Sequence, residues 1–143
     1  MTKEILFYMC NAVALCGWLL LIFAPRWKWS ARGIAACIVP TLLSIAYISL
    51  ILMYSGESQG GFFSLEEVSL IFQNQYIVLA CWIHYMVFDL FVGCWITRDA
   101  QKINISHLIV VPCLIATCLY GPFGLTLYFL IRWIGKRKFF IED

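Results

Sequence analysis

Two titratable side chains, His84 and Asp89, stand in an apolar run, 75–95, in which Asp89 is the only charged residue. A charge in hydrocarbon is expensive, so such a residue marks a functional site by default. The pair suggests acid–base chemistry. A carboxyl kept protonated by apolar surroundings can give a proton, and a neutral imidazole can take one. On a helical wheel with Trp82 at zero, His84 falls at about 200°, Asp89 at about 340°, and Tyr85 and Phe88 lie between them. If the face near about 270° points inward, both groups flank the interior, about 7.5 Å apart along the axis. An elongated ligand could touch both, with Tyr85 orienting it. Trp82, Phe88, Gly93, Trp95, Asn11 and Tyr47 are the remaining candidate binding residues. Gly93, one turn after Asp89, lets a neighbour or ligand approach closely. The plainer alternative is that His84 and Asp89 bond Tyr47, Asn11 or Thr117 on neighbouring helices and only hold the bundle together.

Other chemistries are excluded. The seven cysteines, Cys10, Cys16, Cys37, Cys81, Cys94, Cys113 and Cys118, all lie in hydrophobic runs and form no C-x-x-C pair. They read as small buried hydrophobes, so neither a disulfide framework nor a zinc site is expected. A bis-histidine haem fails because His84 and His107 are offset by on the order of 18 Å. A Schiff base needs a buried lysine, and every lysine flanks a hydrophobic run. H-E-x-x-H, G-x-S-x-G and P-loop patterns are absent. No metal, cofactor or nucleic-acid partner is expected.

The elements that must position these residues follow from composition. The chain has 143 residues, 63% of them hydrophobic and 13% charged. A soluble domain carries about 25% charged residues. Four runs, 5–24, 34–54, 75–96 and 107–131, are each about 20 residues or longer, the length that crosses a bilayer core. The expected fold is all-α: an integral membrane four-helix bundle forming one transmembrane domain over 1–143, with membrane lipids as its surroundings and a homo-oligomer as a further expectation. The first run is too long for a signal-peptide core and is followed by Pro25, Arg26, Trp27, Lys28 and Trp29, an interfacial anchor. Trp18, Trp95 and Trp133 are assigned with Trp27 and Trp29 to an aromatic belt. Ser64 with Glu67 forms a capping box and Phe63 with Val68 a hydrophobic staple, predicting a short interfacial helix from Leu65 before the third span. Pro112 and Gly121-Pro122-Phe123-Gly124 predict a kink or half-broken fourth helix whose freed carbonyls line the interior. With four spans, Lys3, Arg132, Lys136, Arg137 and Lys138 share one side, and Arg26, Lys28, Arg32, Arg98 and Lys102 the other. The positive-inside rule then gives no orientation.

The segment from Trp82-Ile83-His84-Tyr85 through Phe88-Asp89-Leu90-Phe91-Val92-Gly93 to Trp95 resembles the signature of the abscisic-acid-deficient-four-like family. Supporting pieces occur in order: Gly17-Trp18, Pro25, Pro40, Tyr47, Gly61-Phe62, Ser64-Leu65, Pro112-Cys113-Leu114 and Gly121 to Leu125. The resemblance implies a lipid-embedded protein linked to conversion of the epoxy-carotenoid violaxanthin to neoxanthin. On that implication, Asp89 is the acid at the epoxide oxygen, His84 the base, and Trp82 and Phe88 pack the polyene. A pigment-binding or assembly protein without catalysis, a small proton- or cation-coupled transporter, and a purely structural membrane component are the alternatives. No Ser/Arg-rich transit segment precedes Ile5. The expected location is a bacterial cell membrane, or a plastid membrane if a targeting extension lies outside this sequence.

Overall fold

The computed structural model describes residues 2–57 and 60–136. Arg137 and Lys138 of the basic tail lie outside the described residues. The described residues form helices and no strand. Helix α1 spans Lys3–Phe23, a π-helical segment Ser30–Ile38 runs straight into α2 at Val39–Tyr54, and α3 is the short Leu65–Ile71. Helix α4 spans Gln75–Lys102, α5 His107–Tyr120 and α6 Pro122–Lys136. Three stretches are long and apolar enough to cross a membrane: Lys3–Phe23, Ser30–Tyr54 and Gln75–Lys102. At about 1.5 Å per residue each covers about 30 Å or more.

Helix α4 is central and packs on all the other long helices. It does so through small and aliphatic side chains. Ile83, Leu90 and Cys94 are buried, and Gly93 meets the Trp18 ring so closely that a Cβ there would stand 2.7 Å from it. Without a hydrophobic force between helices in lipid, such close contact through small residues is what holds a bundle together. Trp18 is therefore a core residue, 4% exposed, and not part of the aromatic belt. Trp27, Trp29 and Trp133 are exposed, as the belt requires. The start of α3 follows the expected cap, with Ser64 Oγ accepting from Glu67 N at 3.1 Å. Glu67 reaches back to Phe63 N at 3.2 Å, one residue earlier than a capping box would have it. The staple does not form: Phe63 is 99% exposed.

The expected fourth span, 107–131, is corrected. Its length suffices for a crossing, but the break at Gly121-Pro122 reverses the chain. Gly121 has φ +47° and ψ −98°, open to a residue without a Cβ. Helix α6 then doubles back along α5. A Cβ on Gly124 would stand 2.1 Å from Thr117 N and 2.6 Å from Cys113 O. In a continuous helix, Cys113 and Gly124 would be about 16 Å apart. The return is fastened at its far end, where Arg132 Nε lies 3.0 Å from Asp99 Oδ2 near the end of α4. The bundle thus has three long helices and a helical hairpin with its tip at the middle of α4, and residues 107–131 do not form one continuous helix.

This reversal also redraws the charge map. Helix α6 returns to the end of α4, where Arg132 meets Asp99, the end of the molecule that also carries Arg98 and Lys102 and, after α1, Arg26, Lys28 and Arg32. Among the described residues the opposite end keeps Lys3, with Glu4, Glu66 and Glu67.

Candidate functional site

Asp89 lies halfway along α4, is 9% exposed, and packs on the hairpin tip. Its Oδ1 is 2.8 Å from where a Cβ of Gly121 would be, so only glycine at the tip leaves room for the carboxyl. Asp89 Oδ2 is buried, with the Tyr85 hydroxyl as its polar neighbour. A carboxyl can accept more hydrogen bonds than one hydroxyl supplies, which makes this buried group a candidate for a ligand contact. The carboxyl closes one end of a cavity of about 300 Å³ between α1, α4 and α5, lined by Asn11, Leu15, Trp18, Trp82, Tyr85 and Leu119 among others. The Tyr85 hydroxyl stands in the same wall and donates to the Cys118 carbonyl at 3.4 Å. Asn11 Oδ1 accepts from the Trp82 indole at 3.3 Å, and its amide donates to Phe7 O at 2.7 Å.

Trp82 borders two further apolar cavities. One, of about 520 Å³, runs past Cys81 and Tyr120, and one of about 290 Å³ reaches Lys3 and Gln75. All three share Trp82, and they form an interrupted groove along α4 between Asp89 and Gln75, a stretch of about 21 Å. Its walls are aromatic and aliphatic, and its deep end carries the carboxyl.

The structure gathers Asp89, Tyr85, Trp82 and Asn11 at this groove and separates the other candidates from it. His84 is exposed on another face of α4, with its ring 5.6 Å from Tyr47 and 4.6 Å from Phe88. The expected shared cavity for His84 and Asp89 is therefore corrected. The buried face of α4 is centred at about 50° on the wheel, not about 270°. Packing selected the small and aliphatic side, leaving His84 and Phe88 outward. Phe88 is 57% exposed. Gly93 serves helix packing against Trp18. Trp95 packs on Tyr128 and Phe129, with ring centroids 5.7 and 5.6 Å away. His107 Nε2 lies 2.8 Å from Ile22 O and ties the start of α5 to the end of α1.

Sequence reading missed one polar cluster. Asp99 Oδ2 accepts from the Tyr128 hydroxyl at 2.5 Å and pairs with Arg132, whose side chain is fully buried. Asp99 and Arg132 each stand just past an apolar run and read as flanking charges. Tyr128 and Arg132, four apart on α6 and so on one face, were the available signal.

These features define an all-helical, membrane-associated protein with a buried acid at the tip of a helical hairpin. The family model for ABA DEFICIENT 4-like proteins matches residues 5–128, and the chain belongs to that family. No curated protein and no solved structure matches the chain.

Proposed function

We propose that this chain takes a carotenoid or related isoprenoid from the bilayer into the α4 groove and holds its oxygenated end at Asp89. The observation that carries this reading is the buried Asp89 carboxyl, with the Tyr85 hydroxyl beside it, in the wall of an otherwise apolar cavity. A hydroxyl or epoxide oxygen arriving there adds a second partner for the carboxyl beside Tyr85, while Trp82 and Tyr85 present ring faces to a flat polyene. Family membership supports the ligand class. Where the ligand ends in an epoxide, isomerisation follows from one carboxyl. Protonated Asp89 gives its proton to the oxygen as the C–O bond opens. The carboxylate so formed takes the proton released from carbon, giving the allenic alcohol. Nothing is oxidised, and the carboxyl ends as it began. His84 has no part in this scheme, because it faces away from the groove. The test is expression of the chain and of Asp89→Asn in carotenoid-producing cells, with pigments extracted from the purified protein and from the membranes. Bound pigment lost in the variant supports the reading. Equal pigment in both removes Asp89 from the site, and bound pigment without allenic product leaves a binding protein without catalysis.

One feature favours a second reading, a proton or cation path. The hairpin tip brings the end of α5 and the start of α6 against an ionisable group, as in transporters with discontinuous helices. Proteoliposome flux abolished by Asp89→Asn, with no pigment bound, would select it.

A further inference from the structure

A separate cavity of about 790 Å³ lies at the opposite, basic end of the bundle, between the turn after α1 and the turn joining α4 to α5. Gln101, at its wall, is about 18 Å along α4 from Asp89. The two turns are fastened to one another. Gln101 Nε2 donates to Pro25 O at 2.6 Å, and His107 closes on Ile22 O. The enclosure is therefore built by long-range contacts.

Its lining carries one charge, Arg26, and no carboxylate. Asn104 and Ser106 add neutral donors, and Ser106 makes no side-chain bond to the first turn of α5. Lys28, Arg32, Arg98 and Lys102 surround this end of the molecule. Apolar residues stand at the edge of the same cavity: Phe23 is 78% exposed and Leu108 81%. A cavity with an exposed cation, Arg26, and neutral donors in its wall, and with exposed apolar side chains beside them, matches an amphiphile with an anionic head.

We propose that this cavity binds the phosphate headgroup of an anionic lipid, with Arg26 as its counter-charge and the acyl chains passing over Phe23 and Leu108. Basic pockets between helices at the cytoplasmic surface bind acidic headgroups through the same forces. The proposal stands on residues separate from the α4 groove and does not depend on what that groove holds.

The test uses the full chain, delipidated and returned to nanodiscs of defined composition, with bound lipid counted by native mass spectrometry. Phosphatidylglycerol is expected to be retained over phosphatidylcholine. Arg26→Gln should weaken that retention about five-fold, the effect of one basic residue at such a surface. Arg26→Lys should keep most of it. Lys28→Gln, which alters the same end but not the cavity lining, should change it less than about two-fold. Equal retention of the two lipids overturns the proposal, as does an equal loss in Arg26→Gln and Lys28→Gln. Inorganic phosphate, added alone, distinguishes the source of the anion. A stabilising shift at low millimolar concentration assigns a soluble phosphate and overturns the lipid assignment, and no shift keeps it.

Discussion

Neutralising Asp99 should release the hairpin. In Asp99→Asn the shape of the side chain is kept, but Arg132 loses the carboxylate 3.0 Å from its Nε. The pair lies out of water, with side chains 0% and 6% exposed. At an effective dielectric of about 20, two unit charges at that distance attract by about 5 kcal/mol. Their desolvation offsets much of this in the intact pair. Removing one partner leaves the penalty with the other, so the variant should lose about 3–5 kcal/mol. The Tyr128 hydroxyl bond at 2.5 Å also weakens when its acceptor becomes neutral. The double variant Asp99→Leu/Arg132→Met removes both charges and should recover more than half of the loss, since well-packed apolar replacements of buried pairs are often nearly neutral. Unfolding of each variant in mixed micelles, followed by tryptophan fluorescence, measures this, because Trp95 lies against Tyr128 and senses the departure of α6. A single variant within about 1 kcal/mol of the parent refutes the reasoning, as does a double variant no more stable than the single.

Gly124→Ala should cost about 1–3 kcal/mol by overpacking, because its Cβ would meet Thr117 N at 2.1 Å. Gly135→Ala, with nothing within 4 Å, should stay within about 0.5 kcal/mol in the same unfolding measurement. In a background stripped of native cysteines, Thr2→Cys and Gly135→Cys should label from opposite sides of a sealed vesicle, with the Gly135 side cytoplasmic by the positive-inside rule. Labelling from one side would restore a four-crossing topology. His84→Ala should hold pigment within about two-fold of the parent, since the ring stands outside the groove, and a ten-fold loss would return His84 to the site.

Several features were legible from residue types alone. Long charge-free runs can satisfy their backbone polar groups in lipid only as helices, so the all-helical membrane character required no coordinates. The start of α3 at Leu65 followed from Ser64 and Glu67, because capping is a local bond. The break at Gly121-Pro122 was an equally local inference, and so was an acid, Asp89, inside an apolar helix. Direction and facing were not. A glycine–proline break can tilt a helix or reverse it, and the choice depends on contacts far along the chain: Gly124 on Thr117 and Arg132 on Asp99. Until that choice is known, Arg132 and Lys136 cannot be assigned to an end, which is why charge counting gave a tie. The inward face of α4 was likewise set by partners. Trp18 packs into the space above Gly93, and that contact turns Asp89 toward the hairpin tip and His84 away from it. The sequence by itself determined which segments are long and apolar enough to cross a membrane and that Asp89 stands within one of them. Only tertiary packing decided which way the last helix runs and what that acid faces, because both depend on contacts between residues distant in the chain.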